Sequence, residues 1–122
     1  MEGISTIIVR EKKIYVVDFT HCGKSKEETL KLFGAVEDEF EKNPLNSVLA
    51  LVDVAHAFFH FDTLKTFKNF QERCSQYQKK VAVIGLKGLQ KTGFNSVVGS
   101  NKKGLTKAFD SEMEAKEWLV AE

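Results

Sequence analysis

The chain contains few of the residues that cross-link or break a polypeptide. Its 122 residues include two cysteines and one proline, and two cysteines do not make the disulfide framework of a small secreted protein. No apolar run approaches the roughly 20 residues that a membrane-spanning helix needs, and residues 1–20 do not have the layout of a signal peptide. These absences favour a protein of the reducing cytoplasm.

Composition and length are those of a globular protein. Hydrophobic residues make up 43% of the chain and charged residues 29%, which is not the composition of a disordered chain. A chain of this size buries about two-thirds of the surface that its unfolded form exposes, so it can build a core without a disulfide or a metal. We therefore expect a single domain over residues 1–122, with no cofactor.

Charge is balanced overall but is unevenly spread along the chain. Residues 1–61 contain seven basic and ten acidic residues, and residues 62–122 contain eleven and seven. The stretch 79–107 has seven lysines and no acidic residue. Such a stretch can steer an anionic partner, although most charge runs are solvated surface. We favour solvated surface, expect no nucleic-acid partner, and keep peripheral contact with anionic lipid as an alternative.

Hydrophobic periodicity predicts strands that alternate with helices. Runs of β-branched and apolar residues predict five strands, at 4–9, 14–19, 48–54, 81–85 and 105–109, with a polar turn at 10–13. Apolar residues at helical spacing predict helices at 25–43, 63–77, 89–98 and from 111 onward. The order predicts an α/β fold, with a mixed, mostly parallel five-stranded sheet, an N-terminal antiparallel hairpin and about four helices.

Caps and apolar stripes define these helices more closely. Ser25 with Glu28, and Ser111 with Glu114, have the spacing of capping boxes, and Asp62 is the expected cap of the second helix. The residues expected to face the sheet are Leu30, Phe33, Val36 or Glu37, and Phe40 in the first helix, Leu64, Phe67, Phe70 or Gln71, Cys74 and Tyr77 in the second, and Met113 or Ala115, Trp118 and Leu119 in the last.

The tripeptide Gly23-Lys24-Ser25 lies between a strand and a helix, where a phosphate-binding loop belongs. The full pattern requires a glycine five residues before Gly23. That position is Asp18, whose carboxylate would oppose a phosphate. We interpret the tripeptide as a glycine turn followed by a helix cap, and we expect no nucleotide hydrolysis.

Histidines and a cysteine suggest two further kinds of chemistry. His21, Cys22, His56 and His60 fall in loops at the carboxyl ends of the predicted parallel strands, but they lack the spacing of metal ligands. Cys22 also precedes a helix N-terminus, which lowers the pKa of a thiol, and His56 is a candidate base. We expect no metal and an inert thiol, so an enzyme built on these residues is our last hypothesis.

The loop at 55–61 is apolar, whereas loops are ordinarily polar. It contains three phenylalanines, and open α/β sheets bind ligands beyond the carboxyl ends of their strands. The candidate ligand-binding residues are Phe58, Phe59 and Phe61, together with Leu89, Phe94, Lys87 and Lys91 in and beside the predicted helix at 89–98. The alternative is that the phenylalanines seal the end of the core.

Several stretches of the chain resemble the SpoIIAA-like branch of the STAS superfamily. They are Leu51-Val52-Asp53-Val54 at the end of a strand, the stretches 81–91 (VAVIGLKGLQK) and 94–97 (FNSV), and the ending 107–110 (KAFD) with 114–119 (EAKEWL). The resemblance covers residues 14–119 and implies a fold related to lipid-binding CRAL-TRIO domains. It also implies a regulatory or ligand-binding module that is not an enzyme.

The resemblance also bears on regulation. In the anti-sigma-factor antagonists of this superfamily, a phosphorylatable serine in an Asp-Ser-Ser-Gly setting opens the helix after the central strand. Here the equivalent stretch is Phe61-Asp62-Thr63-Leu64, so Thr63 is the one hydroxyl nearby. We expect a module that binds a partner protein or a small apolar or amphiphilic ligand. A lipid or membrane-surface domain is the second hypothesis, and a homodimer stays open.

Overall fold

Strands and helices alternate along the chain. The computed structural model describes residues 3–22, 25–55, 61–85 and 106–121. The strands are β1 (Ile4–Val9), β2 (Lys12–Asp18), β3 (Val48–Asp53), β4 (Gln78–Ile84) and β5 (Thr106–Ala108), and the helices are α1 (Lys26–Phe40), α2 (Phe61–Cys74) and α3 (Glu112–Val120), with a 3-10 helix at Thr20–Cys22. The helix predicted at 89–98 lies outside the described residues.

Each strand pairs with its neighbour in sequence, in the order β1-β2-β3-β4-β5. The pair β1–β2 is antiparallel, and the other three pairs are parallel. The hairpin turns at Arg10 and Glu11, whose φ angles of 48° and 68° suit the tight turns of two-residue hairpins. The turn is therefore shorter than predicted, and Lys12 and Lys13 belong to β2. The predicted mixed, mostly parallel five-stranded sheet is confirmed.

Helices cover both faces of the sheet, and β3 lies at its centre. Residues 48–52 are all buried, as expected of a parallel strand covered on both sides. One face of the sheet packs against α1 and α2, in a cluster that includes Val17, Phe33, Phe40, Val52, Phe70 and Val81. The other face packs against α3, in a cluster that includes Ile14, Leu51, Ala82, Ala115 and Leu119.

The buried stripe of α1 differs from the predicted one at its start. Three predicted residues are buried, namely Phe33, Val36 and Phe40. Leu30, however, is 37% exposed, while Thr29 and Leu32 are buried. The stripe begins at Thr29 because its hydroxyl donates a hydrogen bond to the carbonyl oxygen of Ser25 (2.9 Å), so a polar side chain is satisfied in a buried position. The prediction for Leu30 is wrong. Apolar spacing assigned the buried position to leucine, whereas the structure buries its less apolar neighbour Thr29.

Both predicted capping serines are confirmed. The hydroxyl oxygen of Ser25 accepts a hydrogen bond from the backbone N–H of Glu28, and that of Ser111 accepts one from Glu114, each at 3.2 Å. The prediction for Asp62 is wrong, because α2 already begins at Phe61 and Asp62 lies in its first turn. Where no strong capping signal marks the start of a helix, the observed first residue commonly differs from the predicted one by one or two positions.

Met113 and Ala115 were the two alternatives for the start of the buried face of α3, and the structure buries the smaller one, Ala115. The buried residues of α3 are Ala115, Leu119 and Val120, whereas Met113 is 73% exposed. Trp118 is half-buried, and its ring centre lies 5.4 Å from that of Phe109. Alanine lets the helix approach the sheet closely, which explains why Met113 points away.

Two lysines of the sheet hold the C-terminal end of α3. The ammonium group of Lys80 donates hydrogen bonds to the carbonyl oxygens of Trp118 (2.8 Å) and Ala121 (2.7 Å), and that of Lys12 donates to Val120 (3.1 Å). Cations at this end of a helix satisfy its last carbonyls and complement its dipole. The lysines therefore fix α3 on the sheet.

Replacing Phe70 with alanine should test the layer formed by α1 and α2. The buried ring of Phe70 lies 5.3 Å from that of Phe33 and 6.4 Å from that of Phe40. Its loss leaves a cavity and should lower the free energy of unfolding by roughly 3–5 kcal/mol. Lys68→Ala, at an exposed position of the same helix, should change it by less than about 0.5 kcal/mol. Equal urea midpoints for the two variants would contradict this packing.

Candidate functional site

The carboxyl ends of three parallel strands lie side by side. Asp18 of β2 pairs with Asp53 of β3, and Asp53 pairs with Ile84 of β4. The chain therefore leaves the sheet at one edge after Asp18, after Asp53 and after Ile84, and β5 ends there too, since Ala108 pairs with Val83. We name this the carboxyl edge. Ligands of open α/β sheets bind at such an edge, so it is the candidate functional site.

Most of the predicted ligand-binding residues lie outside the described part of the chain. Phe58 and Phe59 fall in the gap at 56–60, and Lys87, Leu89, Lys91 and Phe94 fall in the gap at 86–105. Phe61 is the first residue of α2, and Thr63 lies in its first turn, but the side chains of both are outside the description. The ligand pocket and the phosphorylation at Thr63 stay predictions.

Two aspartates turn the chain away from the carboxyl edge. A carboxylate oxygen of Asp18 accepts hydrogen bonds from the backbone N–H (2.8 Å) and the hydroxyl (2.5 Å) of Thr20. A carboxylate oxygen of Asp53 accepts one from the backbone N–H of Ala55 (3.0 Å). Both are turns in which an aspartate replaces a backbone acceptor. Asp18 thus has a structural role at the position where a phosphate-binding loop has glycine.

The aspartate turns were not predicted from the sequence, although a signal for them exists. An aspartate that ends a buried apolar strand commonly accepts a hydrogen bond from the backbone two residues further on. Both Asp18 and Asp53 stand in that position. Gly23 and Lys24, which complete the rejected phosphate-loop motif, lie outside the described residues.

The exits of β3 and β4 are in close backbone contact. The backbone N–H of Val54 donates a hydrogen bond to the carbonyl oxygen of Ile84 (3.0 Å). Gly85 follows with a φ of 90°, a conformation that favours glycine. A Cβ atom at Gly85 would lie 2.4 Å from the backbone nitrogen of Ala55. Glycine is therefore required there for the two strands to end together.

Both thiols of the protein are buried. Burial is the largest cause that raises the pKa of Cys22, partly offset by its hydrogen bond with Thr29, and the carboxylates of Glu28 and Asp18 raise it further. Burial likewise raises the pKa of Cys74, to about 12. Since the thiolate is the nucleophilic form, each cysteine is a weak nucleophile at neutral pH. This is the behaviour expected of an inert thiol.

Metal ligands do not gather within the described part of the chain. No three histidine, cysteine, aspartate or glutamate side chains among those residues are placed to hold an ion. His56 and His60 lie outside the description, as does the side chain of His21. The expectation of no metal stays a prediction.

A small cavity lies among described side chains of β2, β3, β4, α1 and α2. It has a volume of about 10 Å³ and is lined by Val17, Phe19, Phe33, Val36, Phe40, Val52, Phe70, Gln78 and Val81. This is about the smallest space that holds one water molecule. This cavity is therefore too small for an alkyl chain.

Part of the lysine-rich stretch at 79–107 has contacts within the protein. Lys80 holds the end of α3, and the ammonium group of Lys107 lies 5.4 Å from the centre of the Phe109 ring. Lys79 is exposed. No sequence pattern indicates the role of Lys80, because its hydrogen-bond partners lie about 40 residues further along the chain.

Substitution of Gly85 should test the joined exits of β3 and β4. Gly85→Ala should lower the free energy of unfolding by about 1–3 kcal/mol or more, because it adds backbone strain and a contact at 2.4 Å with Ala55. Gly34→Ala is the matched control, since nothing lies within 4 Å of a Cβ at that position of α1. It should stabilise the protein by about 0.5–1 kcal/mol. Thermal denaturation measures both, and a Gly85→Ala protein as stable as wild type would refute the close approach.

Thiol reactivity should test whether the cysteines take part in chemistry. In the native protein near neutral pH, Cys22 and Cys74 should react with Ellman's reagent much more slowly than in guanidinium chloride, because they are buried and protonated. A fast-reacting thiol in the native protein, lost in Cys22→Ser, would instead favour the enzyme hypothesis.

Comparison with known proteins bears on the fold. No family model and no curated protein matches the chain. Within the described residues, no helix is long and apolar enough to cross a bilayer. A solved structure that is similar belongs to an uncharacterized protein of the DUF3478 family with a SpoIIAA-like fold, from Shewanella loihica PV-4. The TM-score is 0.70 over 95% of this chain and 91% of that chain, at 16% sequence identity. The protein therefore has a SpoIIAA-like fold, as its sequence resemblance predicted.

Proposed function

We propose that this protein is a non-enzymatic module that binds a small apolar or amphiphilic ligand at the carboxyl edge of its sheet. The observation that carries this proposal is the in-register pairing of Asp18, Asp53 and Ile84, which brings three chain exits to one edge. The apolar stretch 56–60 follows one of these exits, and the stretch 86–105 follows another. The same edge can take an apolar side chain of a partner protein.

The described groups at this edge support binding over catalysis. The carboxylates of Asp18 and Asp53 accept hydrogen bonds that shape the turns, and Cys22 is buried with a raised pKa. A catalytic acid, base or nucleophile has to reach a substrate. Since these groups serve the turns and the core, the parts of the edge left for function are the two sequence stretches at 56–60 and 86–105.

The chemistry of the ligand follows from those two stretches. Phe58 and Phe59 supply apolar side chains, while Lys87 and Lys91 supply positive charge. Together they suit a molecule with an apolar chain and an acidic headgroup. The roles of Lys80 and Lys107 within the protein weaken the membrane-surface alternative.

Amide chemical shifts should locate the ligand. When ¹⁵N-labelled protein is titrated with oleate below its critical micelle concentration, saturable shifts are expected at Thr20, Val54, Ala55 and Gly85, which lie at the carboxyl edge. Amides at the opposite end of the strands, such as Lys79, should stay unchanged. The same titration with lysophosphatidylglycerol distinguishes a carboxylate from a phosphate headgroup.

Two serine variants make the titration specific. Phe59→Ser should weaken the affinity by about tenfold or more, because burial of a phenylalanine contributes roughly 1.5–3 kcal/mol. Leu45→Ser is the matched control, since Leu45 is 65% exposed and lies just before β3, at the end of the strand opposite the carboxyl edge. Circular dichroism checks that both variants fold. Absence of saturable binding by wild type to either amphiphile, or equal affinity of Phe59→Ser and wild type, would refute the proposed ligand class.

A further inference from the structure

Among the described residues, the lateral edge of the sheet formed by β1 is open and unprotected. No described strand pairs with β1 on the side away from β2. The strand reads Ile-Ser-Thr-Ile-Ile-Val, without a charged residue or proline, and its pairing with β2 is regular, without a bulge. Native proteins ordinarily protect such an edge with one of these devices, because a free edge pairs with other strands. The opposite edge is protected, since β5 is three residues long with Lys107 at its centre.

Hydrogen bonding shows which residues of β1 face the open side. The backbone N–H of Asp18 donates to the carbonyl oxygen of Gly3 (2.7 Å), and these two residues are directly opposite in the hairpin register. Hydrogen-bonded and non-hydrogen-bonded pairs alternate in an antiparallel ladder. The backbone groups of Ser5, Ile7 and Val9 therefore point to β2, and those of Ile4, Thr6 and Ile8 point outward.

Beside this edge, a surface groove and a protruding side chain lie on the same face of the sheet. The groove has a volume of about 230 Å³ and is lined by Ile4, Ser5, Thr6, Tyr15 and Glu39. Its Tyr15 wall is fixed, because the hydroxyl oxygen of Tyr15 accepts a hydrogen bond from the side chain of Asn43 (3.0 Å). Ile8, two residues beyond Thr6 on that face, is 68% exposed. The groove has both polar and apolar lining residues, and the protruding Ile8 of a second copy matches it in shape, with Ile4 and Tyr15 as its apolar contacts.

We propose that two copies of this protein form a homodimer by antiparallel pairing of β1 with β1 about a twofold axis through Thr6. A twofold axis perpendicular to a sheet places residues of the same face opposite one another. With Thr6 opposite the partner's Thr6, Ile4 lies opposite the partner's Ile8, and each pair exchanges two backbone hydrogen bonds. The exposed Ile8 of each copy then fills the groove of the other.

An axis through Thr6 pairs more of the outward-facing residues of β1 than an axis through a neighbouring residue does. Moving the axis to Ile7 places Ile4 opposite Arg10 in the hairpin turn, so one outward-facing pair is lost. Only the axis through Thr6 pairs all three outward residues and brings Ile8 to the groove. The dimer joins the sheets at their sides and does not involve the carboxyl edge, so it is independent of the proposed ligand.

Sedimentation should test the dimer with a matched pair of lysine variants. Wild type should show a monomer–dimer equilibrium, with a limiting mass twice the 13.8 kDa of the chain. Ile8→Lys should weaken dimerisation by about tenfold or more, because it places a charge opposite an apolar side chain. Leu45→Lys should dimerise as wild type does, since Leu45 is similarly exposed, at 65%. A wild type that is monomeric at all concentrations, or an Ile8→Lys protein that dimerises normally, would overturn the proposal.

Disulfide cross-linking should test the register. In the proposed pairing, Thr6 of one copy lies opposite Thr6 of the other. The two Cα atoms are then about 5.5 Å apart, which is within the range that a disulfide bridges. Oxidised Thr6→Cys should therefore form a covalent dimer, whereas Ser5→Cys should not, because the two Ser5 positions are offset along the strand. The native cysteines are buried and do not interfere. Cross-linking of Ser5→Cys but not of Thr6→Cys would contradict this register.

Discussion

Burial of β3 on both faces is the constraint on which the rest of the structure depends. Residues 48–52 are all buried, and β3 is parallel to both of its neighbours. Parallel neighbours require crossover connections, and right-handed crossovers that step in one direction put their helices on one face. This explains why α1 and α2 share a face, whereas α3 follows the last strand and packs on the other face. It also explains why the three exits meet at the carboxyl edge.

Holding those exits together occupies the polar residues that stand there. The carboxylates of Asp18 and Asp53 accept the hydrogen bonds that form the turns, and Gly85 lets the exits of β3 and β4 touch. The scaffold is thus separate from the proposed ligand site, as is usual for folds that serve many functions. In the proposed dimer, the strands of the two copies run in opposite directions across the twofold axis. The two carboxyl edges then point away from each other, and both stay free to bind.

Local sequence patterns correctly predicted the strands and the two serine caps, which short stretches of sequence determine by themselves. The apolar run at 48–52 and the cap at Ser25 are of this kind, because their signals span a few residues. Apolar spacing did not predict that Thr29 is buried and Leu30 exposed, since the side of α1 that is buried depends on how the helix packs against the sheet. The role of Lys80 depends on a contact between distant parts of the chain. For the ligand site, the sequence indicates the edge, and its phenylalanines stay predictions because they lie outside the described residues.

Hydrogen exchange of the native protein in increasing urea tests the central position of β3 most directly. We expect the amides of Leu49, Ala50 and Leu51 to exchange only when the whole protein unfolds, with the free energy that urea denaturation gives. Amides of α3, which packs on one face only, should exchange at that free energy or below it. Exchange of the β3 amides through local opening, at a lower free energy than those of α3, would contradict the dependence of the fold on this strand.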